Sequence, residues 1–126
     1  MRLLLDTAAL IFAVESPARL GKRATAVISH PANLLEFSAI SISEIAIKAS
    51  LGKLEFAAPA LRQVLQELNI RVLPYNGDHA LTLFNLPLHH GDLFDRQLIA
   101  QAIWEEIPIV TPDEKFKLYR GLKIIW

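Results

Sequence analysis

The chain of 126 residues contains no cysteine, which excludes a disulfide scaffold, thiolate metal sites and a cysteine nucleophile, and agrees with a reducing cytosol. It also lacks an excess of either charge. Thirteen basic residues balance thirteen acidic ones, so no global positive field announces a nucleic-acid partner, and any such partner must be held locally. Two small basic clusters remain within that neutral total. Arg19, Lys22 and Arg23 form one, while Lys115, Lys117, Arg120 and Lys123 face only Glu114 in the other. Long apolar runs are missing too. Met1 to Leu5 resembles the start of a signal peptide, but Asp6 interrupts it, and the stretch Ala8 to Val14 meets Glu15 at once. That segment is too short and too charged for export or a membrane span, and the expected location is the cytoplasm. No internal repeat or low-complexity tract is visible.

What is present is an apolar majority, 52% of residues, and a positive mean hydropathy. This suits one domain over residues 1–126 with a sizeable core. Leu3 to Leu5 has the composition of a strand buried on both faces, and Thr7 to Val14 then reads as a helix. Ser16-Pro17 predicts a second helix from Pro17 to about Ser29. Leu34 to Ile40 reads as a strand, after which Ser41 and Glu44 have capping-box spacing for a helix over Ile42 to Leu51, closed by Gly52. Pro59 opens a helix with Leu61, Val64, Leu65 and Leu68 at helical spacing, followed by a β-like run from Ile70 to Leu73. Asn76-Gly77-Asp78 begins a short helix ending near Pro87, and Asp92 caps a long one burying Phe94, Leu98, Ile99, Ala102 and Ile103. Pro108 to Val110 is a strand, Asp113 starts a small helix, and Leu122 to Ile125 is a fifth strand. Alternation of this kind, with connections too long for hairpins, indicates a parallel sheet covered by helices on both sides.

Four acids stand out against this frame. Each has an ordinary structural role available: Asp6 and Asp113 as caps, Glu44 in its capping box or paired with Lys48, and Asp95 as an acid in the first turn of a helix. Their placement points further. Asp6, Glu44 and Asp113 each follow a strand, hence lie at the carboxyl edge where parallel α/β folds build their sites, and the helix bearing Asp95 must start at that edge to run back against the strands. Acids gathered at one rim raise one another's pKa unless a cation neutralises them. Oxygen-only ligation suits Mg²⁺ or Mn²⁺, ions that clamp displacement at phosphorus. His89 and His90 lack a third histidine at helical spacing and read as loop surface.

Leu3-Leu4-Leu5-Asp6-Thr7, then Ser38-x-x-Ser41-x-Ser43-Glu44-Ile45-Ala46-Ile47-Lys48 with Leu51-Gly52-Lys53-Leu54, then Leu86-Pro87-x-x-His90-x-Asp92-x-Phe94-Asp95-Arg96, and Thr111-x-Asp113 resemble the PIN-domain ribonucleases, most closely VapC-type toxins of bacterial toxin–antitoxin pairs. The likeness spans essentially the whole chain. It implies a three-layer α/β/α fold with a parallel sheet of about five strands in the order 3-2-1-4-5. It also implies a metal-dependent endoribonuclease, with Asp6 and Asp95 as principal ligands of Mg²⁺ or Mn²⁺, Glu44 as a ligand or water-positioning acid, and Asp113 as a ligand through water. Thr7, Ser41 and Thr111 would orient those carboxylates. Lys48 and Arg96 would contact phosphate or neutralise neighbouring acids. The implied partners are an RNA substrate, a cognate antitoxin protein and a second copy of the chain.

The pattern departs from the subgroup at Ala8, where His is usual, at Ser43, where Trp is usual, and at Leu93, where Pro is common. These positions bear on the pocket wall and the start of the helix, not on the acids. Rival readings are weaker. A haloacid-dehalogenase-type phosphatase needs a second Asp where Ala8 stands, and a receiver domain needs an acidic pair and a mid-sheet acceptor that are absent. The non-enzymatic rival is a catalytically silent module that keeps the fold and binds RNA or an antitoxin.

Overall fold

Leu3, Leu4 and Leu5 are almost completely removed from solvent because β1 (Arg2–Leu5) is the middle strand of the sheet. The computed structural model describes residues 1–126. β2 (Leu34–Ser38), β3 (Arg71–Leu73), β4 (Ile109–Val110) and β5 (Ile124–Ile125) complete it, all parallel, in the order β3-β2-β1-β4-β5. The order and strand number are those implied by the sequence.

Side chains alternate across the sheet, so β1 supplies both cores. Leu3 and Leu5 pack with Leu35 and Phe37 under α1 (Thr7–Glu15), α2 (Lys22–Ser29), α3 (Ala39–Ser50) and α4 (Ala58–Glu67). Leu4 and Ile109 point the other way, against Leu98, Ile99 and Ala102 of α6 (Leu93–Glu105), with α5 (Gly77–Thr82) beside it. The result is a helix/sheet/helix sandwich.

Two local expectations are corrected. The helix expected over Pro17 to Ser29 is a 3₁₀ turn, Pro17–Arg19, then α2. Between them Leu20 and Gly21 are extended, and Gly21 lies against Trp126 so closely that a Cβ would collide with its backbone and ring. The second strand ends at Ser38 instead of Ile40, because the Ser38 hydroxyl accepts from the Ile40 amide at 3.0 Å and caps α3. Ser41 and Glu44 are therefore not a capping box. They lie inside α3 on its buried side, and the helix ends where Gly52 takes φ 70°.

Glu36 is fully buried in β2 on the face opposite Phe37, and charge gathers around it. Arg2 Nε donates to it at 2.5 Å and Arg71 lies at 3.2 Å. Arg2 also reaches Glu105 at the end of α6, 2.9 Å away. Buried His79 adds to this pairing. Its Nδ1 accepts from the Asn76 amide, so Nε2 carries the hydrogen that faces Glu105 at 3.1 Å. Arg2 begins β1 and Glu105 ends α6, so this clamp anchors α6 antiparallel to the strands and sends its N-terminus to the carboxyl edge. Arg2 is partly exposed and Arg71 still faces Glu36, so losing the hydrogen bonds Arg2 gives to charged groups costs about 1.5–3 kcal/mol. Arg2→Met is expected within that range in urea denaturation. A loss below about 0.5 kcal/mol, the scale of ordinary surface changes, would refute the clamp.

Candidate active site

Asp6 follows β1 directly and caps α1, its carboxylate accepting from the Ala9 amide at 2.7 Å. It is buried. Burial pushes its carboxyl from 3.8 up to about 7, with the charges of Asp95 and Glu44 adding to the rise and the Thr111 hydroxyl and Ala9 amide opposing it. Asp95 lies in the first turn of α6. Burial raises it to about 6, helped by Asp92, Glu44 and Asp113 and opposed by His90.

Glu44 comes from the interior of α3 and is also buried. Thr7 Oγ1 donates to one of its oxygens at 2.5 Å, and Lys48 Nζ, one turn on, donates to the other at 2.7 Å. Glu44 in return raises the Lys48 pKa. Asp113 caps the 3₁₀ turn Glu114–Leu118 through the Lys115 amide, while its own amide donates to Thr111 Oγ1 at 3.0 Å. Thr111 thus stands between Asp6 and Asp113. Ser41 is buried on the same helix as Glu44.

The carboxylates feel one another, yet no three of them lie close enough together to hold one ion. Each is drawn to its own partner: Glu44 to Lys48 and Thr7, Asp113 to its turn, and Asp95 to His90 Nε2 at 3.4 Å. Asp6 faces amide and hydroxyl donors and no cation, and its pKa is raised first by burial and then by the charges of Asp95 and Glu44. The all-oxygen donor chemistry of Asp6 and Asp95 is of the kind a hard divalent cation takes, while Glu44 is held by Thr7 and Lys48.

Arg96 faces none of the acids. Its guanidinium donates to the Pro87 carbonyl at 2.9 Å, to the Leu86 carbonyl at 3.4 Å and to the Tyr119 hydroxyl at 3.3 Å. Beside Asp113 a cavity of about 140 Å³ is lined by Arg23, Lys117 and Trp126, so one residue from each basic cluster meets at the acid edge. A larger apolar groove between α3, α4 and β3, lined by Ile42, Leu61, Leu65 and Val72, contains no acid. The sequence reading took His90 for loop surface, but its side chain is largely buried and bonded to Tyr119, a residue that reading did not single out. His90 stood in a quoted motif, whereas nothing local marked Tyr119.

A family model described as the PIN domain matches residues 3–122. Among solved structures, VapBC2 from Rickettsia felis, bound to a DNA fragment from the promoter, is similar at TM-score 0.73 and 16% identity, over 98% of this chain and 97% of that one. DNA-bound VapBC from Salmonella typhimurium gives 0.68 and 19%, over 98% and 96%. VapBC-5 from Mycobacterium tuberculosis gives 0.62 and 18%, over 98% and 97%. At such identities the likeness is one of fold. Comparison with curated protein sequences gives no match.

Asp6 supplies a pH test in metal-free buffer. Its folded pKa is raised, so its contribution to stability is complete below 3.8 and is lost as pH rises through about 7. Asp6→Asn keeps a capping oxygen but cannot ionise. Denaturation in EDTA should show wild type losing stability relative to Asp6→Asn across that window, by at most about 1.4 kcal/mol per pH unit. A pH-independent difference would contradict the assignment.

Proposed function

The chain belongs to the PIN-domain family, and from that premise we propose that it is a metal-dependent endoribonuclease acting as the toxin of a toxin–antitoxin pair. The observation that carries the reading is the gathering of buried or half-buried carboxylates at the carboxyl edge, Asp6 after β1, Glu44 on α3 and Asp95 in the first turn of α6, near enough that Glu44 adds to the burial that raises both Asp6 and Asp95. Asp6 and Asp95 would hold Mg²⁺ or Mn²⁺, with Glu44 and Asp113 completing the oxygen donors. Bound there, such an ion supplies an activated water and neutralises charge at the scissile phosphate.

The chain's own side chains do the rest. Thr7 and Lys48 orient Glu44, and Thr111 links Asp6 to Asp113. Buried Ser41 sits on the same helix as Glu44 and backs the site. Arg23 and Lys117 stand where a polyanion crossing the site would pass Asp113. A cognate antitoxin and a second copy of the chain are the proposed protein partners, supported by the motif resemblance and by the VapBC assemblies that share the fold. The proposed location is the cytoplasm; no helix is long and apolar enough to cross a membrane.

One observation favours a second reading. The absence of a ready three-carboxylate cluster is what a silent RNA- or antitoxin-binding module would show. Cleavage separates the two. RNA should be cut in Mg²⁺ or Mn²⁺ and left intact in EDTA, giving 5′-phosphate and 3′-hydroxyl ends because water attacks phosphorus. Asp95→Asn should lower the rate on the order of 10²–10³-fold, the scale for losing a charge-stabilising group. Undiminished cutting in EDTA, or cyclic 2′,3′-phosphate ends, would refute the metal mechanism. Expression in bacteria without a partner should slow growth, with relief by Asp6→Ala or Asp95→Ala. A harmless protein that still cleaves would retain the nuclease and discard the toxin.

A further inference from the structure

His90 lies in the loop before α6 with its side chain 10% exposed. Its ring packs against Phe116 and Tyr119, with centroids 6.2 and 5.5 Å away. Its Nδ1 is 2.6 Å from the Tyr119 hydroxyl. The direction of that bond follows from the neighbour. Arg96 has only hydrogens to give, and its Nη1 meets the same hydroxyl at 3.3 Å, so the Tyr119 oxygen accepts from Arg96 and its own hydrogen is free for His90. Nδ1 is then an acceptor, and the ring hydrogen sits on Nε2. Nε2 is buried, with Asp95 Oδ2 3.4 Å from it and no closer polar partner.

We infer that His90 is the positioning residue of Asp95: Arg96 orients the Tyr119 hydroxyl, Tyr119 fixes the His90 tautomer, and the Nε2 hydrogen holds one Asp95 oxygen so that the other is presented to a cation. This rests on the metal-dependent reading above and adds residues to it. The arrangement ties together three segments: the loop from Leu86 to His90, the first turn of α6, and the end of the 3₁₀ turn before Tyr119. It also accounts for an arginine that follows the acid yet is turned away from it. Arg96 acts on Asp95 through two intermediaries.

Two measurements test it. In wild-type, metal-free protein labelled with ¹⁵N at histidine, long-range ¹H–¹⁵N spectra should place the His90 proton on Nε2. A proton on Nδ1 would overturn the inference without any variant having to fold. Calorimetric titration with Mn²⁺ gives the second readout. Loss of a group that orients a metal ligand costs on the order of 10–100-fold in affinity, and that is expected for His90→Leu and for Tyr119→Phe. His90→Gln places an amide nitrogen near the former Nε2 and should recover most of the loss, which a purely structural role for the ring would not produce. Wild type and His90→Leu binding Mn²⁺ equally would overturn the inference and leave the nuclease reading standing. Wild type that fails to bind Mn²⁺ would overturn both.

Discussion

A carboxylate buried at the end of the central strand, with no protein cation of its own, is the constraint around which the acid edge is organised. Asp6 cannot move away. It is fixed by β1 behind it and by the cap it gives α1. Its neighbours deepen the deficit, since Asp95 and Glu44 add negative charge and the Lys48 ammonium is engaged by Glu44. A fold built for stability alone would place a neutral cap here, because Ser or Asn satisfies the same amide without the desolvation cost. Retained strain of this kind is where function is to be sought.

The other end of the sheet, where β1 begins, shows how this chain treats a buried charge when only stability is at stake. Glu36 is more deeply buried than Asp6, yet Arg2 and Arg71 both pair with it, and Glu105 and His79 extend the pairing. Compensation there is complete within the protein. That closed network also determines where α6 begins, so the position of Asp95 depends on residues at the far end of its helix. The two charge groups thus divide the work: one anchors the helix, and the other, on the proposed function, takes an external cation.

The architecture was legible where the signal was local and apolar. Leu3 to Leu5 marked a strand buried on both faces, and the four-residue recurrence from Leu98 to Ala102 marked the inner side of α6. The strand order came from the motif resemblance, since two-residue strands such as β4 and β5 have too little periodicity to place themselves. Misreadings arose from competition and distance. The spacing of Ser41 to Glu44 fits a capping box and equally one inner face of a continuous helix, and the choice depended on packing and on the cap that Ser38 supplies. The break at Gly21 answers to Trp126, 105 residues later in the chain. Asp6, Asp95 and Asp113 were visible because each sits beside a strand end or helix start, whereas Glu44, inside α3, was visible through its spacing from Ser41 and the motif resemblance. The His90–Tyr119 bond spans 29 residues and leaves no local pattern.

Buried carboxylates at one edge without a ready ligand cluster make one proposal central: a divalent cation, not a protein group, completes the neutralisation of Asp6 and Asp95. Anomalous diffraction from crystals grown with Mn²⁺ tests it most directly. The account predicts a strong peak at about 2 Å from a carboxylate oxygen of each of these two residues, with Glu44 drawn off Lys48 toward the ion. A peak confined to other surfaces, at a Mn²⁺ concentration that supports RNA cleavage, would contradict it.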